Sequence, residues 1–351
     1  MRIKSFSYSD AHYELQPVDL QAINLIVGNN ATGKTRLLMG LSFLTKSIIT
    51  DRQKSNGPFN LICSTEFITD DDQTLEYMVM AKSGSIGREL LVLNGKRIIE
   101  RNPVSCKIYS FKKEKYEIFN PPKDKLVIQI RRDIKEYPHI ESLVEWAENS
   151  YGFRFGNVFQ GWENFFMLDD LPNIAEMYNS IDTLNQKKII ELLNEIGFKI
   201  TQITAQVRNG QSLIYIHEMG LNKPITLIEI SQGLLRTIYV LIFIQYLISK
   251  GKTTTVFIDD LGEGLDYKRA IELGKRLYSL CKENNIQLIA TSNDSFLMDT
   301  IDTDYWNVLI REGKTVKALN KFNHPELFEN FKFTGLSNFD FFSSDYIDSH
   351  L

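Results

Sequence analysis

The sequence predicts an α/β fold with a mixed, largely parallel core sheet, an antiparallel β lobe and a helical insertion. Three observations predict it. An apolar run, Ala22–Val27, feeds a glycine-bounded loop and then a helical pattern. The first third carries further strand-like runs separated by turn-rich pieces. The last third alternates helix and strand, an order that implies parallel strands with covered faces.

Taken in order, Arg2–Tyr8 alternates as a half-buried strand does, and Ala22–Val27 is broken only by Asn24. Arg36–Ile49 has helical spacing. Leu61–Ile68, Leu75–Met80, Glu89–Leu93 and Lys107–Phe111 read as strands, split by pieces such as DDDQ, SGS and NGK. Leu126–Ile130 reads as one more strand. Ile134–Asn149, Asn173–Asn179 and Thr183–Ile196 have helical spacing with charged faces and form the insertion, at about residues 134–196. Strand alternation returns at Phe198–Val207 and Leu213–His217. Helix Leu234–Ser249, strand Thr255–Ile258, helix Lys268–Glu283 and strand Gln287–Ala290 follow. Two short strands, Trp306–Ile310 and Thr315–Leu319, and an aromatic tail, Phe328–Phe342, make a C-terminal extension of about residues 300–351. With no repeat or sustained heptads, a single domain over residues 1–351 is expected.

An apolar share of 43% and a charged share of 24% are ordinary for a globular chain. The net charge of −4 carries no global signature of nucleic-acid or anionic-membrane binding. Cys63, Cys106 and Cys281 lie far apart without CxxC spacing, which suits a reducing cytoplasm and opposes a disulfide framework or zinc site. The start, MRIKSFSYSD, lacks the apolar segment of a signal peptide. The run Ile238–Ile248 is too short to span a bilayer and carries Gln245, so a buried helix and no membrane partner are expected.

Gly28-Asn29-Asn30-Ala31-Thr32-Gly33-Lys34-Thr35 is a P-loop pattern placed between strand and helix, as its chemistry requires. Gly28 and Gly33 permit a tight turn and close backbone approach, so that amide N–H groups surround phosphate oxygens. The helix that follows adds its positive end. Lys34 would reach the β- and γ-phosphates, the Thr35 hydroxyl would bind Mg2+, and Arg36 completes the expected ATP-binding set. A magnesium–nucleotide site also needs a carboxylate at a strand end, and Thr255–Asp260 supplies two. Asp259 would hold the metal shell and Asp260 would poise the attacking water. The plainer reading of the pair is a helix N-cap cluster.

The order GNNATGKT, ISQGLLR, VFIDDLGEGLD, QLIATSND resembles the ABC-type ATPase heads found in SMC and RecF proteins and in bacterial defence systems. On this resemblance Ser231-Gln232-Gly233 is similar to the signature motif, which contacts the γ-phosphate held by a second subunit. That implies a homodimer or higher oligomer closed on ATP. A Ser and a Gly opening a helix present a hydroxyl, amide N–H groups and a dipole to an anion, although an ordinary Ser cap looks the same. Glu263-Gly264-Leu265-Asp266 resembles the D-loop that couples two such sites. Gln129 resembles the glutamine that senses Mg2+ and the attacking water. Two positions depart from the family: Asp260 stands where Glu is usual as general base, and Asn293 where a switch histidine is usual. Asn293 can donate a hydrogen bond but cannot carry a proton, so slow hydrolysis is expected.

Among ABC-like ATPases, a transporter subunit would have an aromatic upstream of the P-loop, for which Tyr8 or Tyr13 could serve, but ISQGLLR departs from LSGGQ. A chromosome-organising or repair head would have heptad arms, and none is seen. A defence nuclease with a fused TOPRIM domain would need a further acidic domain past Asp299. What remains is similar to the standalone ATPases of two-gene phage-defence systems such as Septu or PARIS, which control a separate effector, often a nuclease. The alternative is a RecF-like repair ATPase. A basic stretch (Lys96, Arg97, Arg101, Lys112, Lys113, Lys115, Lys123, Lys125, Arg131, Arg132) is either a nucleic-acid contact or a solvated strand face. The tail aromatics are either core or a partner dock.

Overall fold

The structure is a computed structural model that describes residues 1–49, 61–153, 173–208, 211–343 and 346–350. In chain order it begins β1 (Arg2–Ser9), β2 (Glu14–Asp19), β3 (Ile23–Gly28), α1 (Lys34–Ile49), β4 (Leu61–Ile68), β5 (Thr74–Lys82), β6 (Ser85–Leu93) and β7 (Lys96–Arg101). Next come β8 (Cys106–Ser110), β9 (Lys115–Phe119), α2 (Val127–Ile130), α3 (Pro138–Glu148), β10 (Ser150–Phe153), α4 (Ile174–Ser180) and α5 (Thr183–Glu195). Then follow β11 (Ile200–Arg208), β12 (Gln211–Glu218), β13 (Ile225–Thr226), α6 (Gln232–Lys250), β14 (Thr254–Ile258), α7 (Tyr267–Glu283), β15 (Ile286–Thr291) and α8 (Ser295–Thr300). The chain ends with β16 (Trp306–Glu312), β17 (Thr315–Leu319), α9 (Pro325–Lys332), α10 (Asn338–Ser343) and α11 (Tyr346–His350). The chain divides into two compact units: Met1–Ser150 with Trp306–Glu326, and Tyr151–Tyr305 with Leu327–Leu351.

In the first unit the strands run β3-β16-β17-β2-β1-β4-β5-β6-β7-β8-β9. The supposed C-terminal strands are therefore core: β16 lies parallel to the strand that feeds the P-loop, with Gly28 opposite Leu309. Its hairpin partner β17 lies parallel to β2. From β1 through β4 to β9 every pairing is antiparallel, which is the expected β lobe. Asn94 and Gly95, both at positive φ (46° and 80°), close the β6–β7 hairpin in the conformation that an Asn-Gly turn favours. β3 is buried along its whole length and α1 packs against it, with Leu37, Leu38 and Leu41 of α1 buried.

Leu126–Ile130 is not a strand but carries the short helix α2. The cause is a carboxylate. Buried Glu89 accepts hydrogen bonds from the N–H groups of Val127 (2.7 Å) and Ile128 (3.2 Å), and an anion at a helix N-terminus favours the helical turn. Arg101 lies 3.7 Å from Glu89 and donates to the carbonyls of Lys125 and Pro122, so this member of the basic stretch is an internal clamp.

In the second unit β14 and β15 are parallel, with Val256 opposite Leu288, and β10 flanks β14. A separate antiparallel sheet runs β11-β12-β13. The expected insertion is helical but holds the strand β10, and residues 154–172 of it lie outside the described residues. Helices α4 and α5 pack on α6 and on β11. α6 is longer than the apolar run read from the sequence. Among the described residues it is the one helix long and apolar enough to cross a membrane, and 72% of its apolar window is buried within the protein. In the tail, Phe328, Phe331 and Phe341 are buried and the Phe341 ring contacts both of the others, so these three aromatics are core.

Candidate functional site

In the first unit the residues after β3 form a loop that only a few side chains can adopt. A Cβ on Gly28 would lie 2.9 Å from the Leu309 carbonyl oxygen and 2.7 Å from Thr32 Oγ1, so this position has no room for one. Gly33 has φ +113° and Ala31 φ +66°, both in the left-handed region that points successive backbone groups into a concavity. The Asn29 carbonyl accepts from the Thr32 N–H (3.2 Å) and hydroxyl (2.8 Å), closing a turn at the loop's crest. Lys34 is buried, and its ammonium donates to the carbonyls of Gly28 (2.6 Å) and Asn29 (3.2 Å). Thr35 lies in the first turn of α1, half-buried, while Asn29 and Asn30 are exposed.

Three side chains from elsewhere in the first unit flank this loop. Tyr13 donates from its hydroxyl to the Ala31 carbonyl (3.1 Å), and its ring lies 3.2 Å from where a Gly33 Cβ would be. Arg36 packs on the Tyr13 ring at 4.1 Å and pairs with Asp10 at 2.9 Å. Burial pushes the Asp10 carboxyl up. The His12 N–H, the Tyr8 hydroxyl, the Tyr13 N–H and the Arg36 guanidinium outweigh that and hold it below the usual carboxylate range. Arg311, on β16, also packs on the Tyr13 ring, at 4.2 Å, and donates to the Ala31 carbonyl (3.0 Å) and to the Tyr13 hydroxyl. The sequence reading named Tyr13 only as a stacking aromatic and did not single out Asp10 or Arg311. Nothing local in the chain signals them.

In the second unit Asp259 and Asp260 end β14. Asp259 is buried and its N–H donates to the Phe153 carbonyl (2.9 Å). Asp260 has φ +52°, a left-handed conformation that a short polar side chain tolerates. One hydroxyl joins the two: buried Thr291, at the end of β15, donates to Asp259 Oδ1 (2.8 Å) and accepts from the Asp260 N–H (2.8 Å). Asn293 is exposed and its amide lies 3.5 Å from Asp260 Oδ1, at the limit of a hydrogen bond.

Ser231 caps α6, accepting from the Leu234 N–H at 3.3 Å, and with Gln232 is exposed. Gly233 is buried where a Cβ would lie 2.4 Å from the Gly264 carbonyl oxygen, so the signature-like turn and the D-loop-like turn touch backbone to backbone. Arg236 donates to the Glu263 carbonyl (3.0 Å) and pairs with its carboxylate (2.5 Å). Asp266 is the N-cap of α7 and pairs with Arg269 at 3.0 Å. In the first unit, Gln129 differs from expectation. It does not end a strand but lies in α2, where its side chain accepts from the Leu126 N–H (3.0 Å) and donates to the Ser47 carbonyl near the end of α1 (2.7 Å).

A family model described as "AAA domain, putative AbiEii toxin, Type IV TA system" matches residues 23–299, from the start of β3 to within α8. The chain belongs to this AAA family. All the motif residues above except Arg311 and the β1–β2 residues fall inside the match. No curated protein matches the chain. Among solved structures it is similar to the SMC head domain from Thermotoga maritima, at 13% identity and TM-score 0.50, covering 91% of this chain and 99% of that one. It is also similar to the SmcHead bound to the C-winged helix domain of ScpA, at 12% identity and TM-score 0.59, covering 90% of this chain and 97% of that one. A third is the Smc head domain with an extended coiled coil bound to the C-terminal domain of ScpA from Pyrococcus furiosus, at 11% identity and TM-score 0.55, covering 94% and 99%. At such identities the likeness is one of fold: the AAA-family chain has the α/β fold of an ABC-type, SMC-like ATPase head.

Proposed function

We propose that this AAA-family chain binds ATP with Mg2+, hydrolyses it slowly, and uses the nucleotide state to control a separate effector protein. The observation that carries the ATP reading is the phosphate loop, whose left-handed Ala31 and Gly33 and buried Lys34 prepare a concavity of donors for an anion. Gly28–Thr35 and Arg36 hold the phosphates. By resemblance, Thr35 of the first unit, Asp259 of the second and Gln129 are assigned to Mg2+. Thr35 and Asp259 are each a hard oxygen donor of the kind the ion prefers, and the bound ion would neutralise charge on the phosphate oxygens. Asp260 takes the proton of the attacking water and Asn293 donates to a γ-phosphate oxygen. Asp260 is a methylene shorter than Glu, and Asn293 carries no proton, which supports slow turnover. Exposed Ser231 and Gln232, with Gly233 and Asp266, would engage ATP bound by a second copy, making an ATP-linked dimer or larger assembly.

The effector reading is supported by the family description, which names a Type IV TA system, and by similar SMC heads whose solved structures hold a domain of a separate protein, ScpA. The effector expected from the resemblance to phage-defence ATPases is a nuclease. Calorimetry should show Lys34→Ala weakening ATP binding by about 1.5–3 kcal/mol, the worth of a charge-assisted contact. The purified chain should leave DNA and RNA intact with Mg2+ or Mn2+ and should co-purify with the product of the neighbouring gene. Unchanged ATP affinity in Lys34→Ala sinks the nucleotide reading, and nucleic-acid cleavage by the lone chain sinks the effector reading. A RecF-like role in DNA contact is favoured by the basic β lobe. However, Arg97 pairs with Glu100, Lys113 with Glu117 and Glu136, and Arg132 with Glu141. ATP-dependent retardation of duplex DNA would favour the RecF-like role.

A further inference from the structure

The crest of the phosphate loop has an unusual attachment. Ala31 has a Cβ yet sits at φ +66°, a conformation that costs a non-glycine residue about 1–2 kcal/mol and persists only where its surroundings hold it. Its carbonyl oxygen is where the hold is applied. The Tyr13 hydroxyl reaches it at 3.1 Å and the Arg311 guanidinium at 3.0 Å, so two donors occupy one acceptor. Arg311 and Tyr13 are themselves joined, by a hydrogen bond and by stacking at 4.2 Å. Arg311 Nε donates to the Gly313 carbonyl at 2.7 Å, which fixes the side chain at the turn of its own hairpin. Arg36, on the same ring, is neutralised by Asp10, whereas no carboxylate pairs with Arg311 among the described residues.

We propose that Arg311 is a positioning residue for nucleotide binding. With Tyr13 it clamps the Ala31 carbonyl, so the loop is already in its phosphate-binding conformation before nucleotide arrives. The clamp acts on the loop rather than on the γ-phosphate, so ATP and ADP should depend on it equally. Binding to a preset loop avoids the cost of ordering it, which is the general benefit of preorganisation. A second consequence is non-additivity, because the two donors share one acceptor. The inference rests on the reading of Gly28–Thr35 as an ATP site.

The experiment compares wild type, Arg311→Gln, Tyr13→Phe, the double variant and Lys34→Ala, each titrated with ATP and with ADP and each melted without nucleotide. Arg311→Gln is expected to weaken both nucleotides about tenfold, the loss of one charge-assisted hydrogen bond, with Arg311→Lys restoring part of it. The nucleotide-free melting temperature should move little, while the upward shift produced by ATP shrinks. The double variant should bind no worse than Arg311→Gln alone. Wild-type affinity in Arg311→Gln, or a loss confined to ATP, overturns the clamp while leaving the ATP site standing. If Arg311→Gln does not fold, Tyr13→Phe decides the matter: a severalfold loss for both nucleotides supports the clamp and none removes it. Wild-type protein that fails to bind ATP removes the ATP reading, and the clamp with it.

Discussion

Ala31 in the first unit and Asp260 in the second share an uncommon feature: each is a non-glycine residue in the left-handed region, at φ +66° and +52°. They are held in different ways. Ala31 is gripped from outside by two side chains, one of them 280 residues away, acting on its carbonyl oxygen. Asp260 is held at its N–H by a hydroxyl 31 residues on, and by a turn in which its carbonyl accepts from the Glu263 N–H at 3.2 Å. Such backbone persists only where the surroundings over-determine it, and it concentrates at functional positions. Two side chains converge on one carbonyl oxygen at the Ala31 turn, whereas at the Asp259–Asp260 corner one side chain, the Thr291 hydroxyl, bridges two residues.

The largest expected effect separates carboxylate chemistry from backbone strain at that corner. Asp260→Asn keeps a side chain that tolerates the left-handed conformation and removes only the base, so turnover should fall by about 10²–10⁴-fold. Affinity for ATP, measured by calorimetry, should stay near wild type. Phosphate release at an unchanged rate would mean that Asp260 is not the base and that its strained conformation serves something else.

A smaller effect tests the Thr291 bridge. Thr291→Val keeps the shape but removes the hydroxyl that donates to Asp259 Oδ1 and accepts from the Asp260 N–H. Losing these buried hydrogen bonds should cost about 1–3 kcal/mol, which denaturant unfolding can read, and turnover should fall. Thr291→Ser should restore both. If Thr291→Val is as stable and as active as wild type, the Thr291 bridge is not what holds the corner in place.

What the sequence revealed follows the same division between local and distant causes. The P-loop was legible because eight consecutive residues encode it, and β4 and β17 were legible because apolar alternation needs no context. β7 was not read, since KRIIER looks like a charged loop. Its Arg101 is in fact buried against Glu89, and a buried ion pair has no sequence period. β9, an edge strand with exposed charges, and β2, with Pro17 inside it, give equally weak patterns. Leu126–Ile130 looks like a strand by composition and is a helix because of a carboxylate 38 residues upstream. In the site, Asp259 and Asp260 were visible as a strand-terminal pair. The hydroxyl that joins them and the arginine that clamps Ala31 come from β15 and β16, and only the fold brings them there.

The smallest effect concerns Asn293, whose position tells whether the corner has a third member. Its amide lies 3.5 Å from Asp260 Oδ1 and is exposed, so without nucleotide the contact contributes little to stability. Its value would come from the amide N–H donating to an oxygen that gains charge during hydrolysis. A neutral donor there contributes about 0.5–1.5 kcal/mol, severalfold in rate, whereas a proton carrier contributes far more. Asn293→Ala should therefore slow phosphate release severalfold and leave the melting temperature unchanged. Asn293→His keeps a donor and should retain more activity than the alanine variant. Should the histidine raise turnover well above wild type, the missing proton carrier is what keeps hydrolysis slow. Equal turnover in all three proteins would place Asn293 outside the reaction.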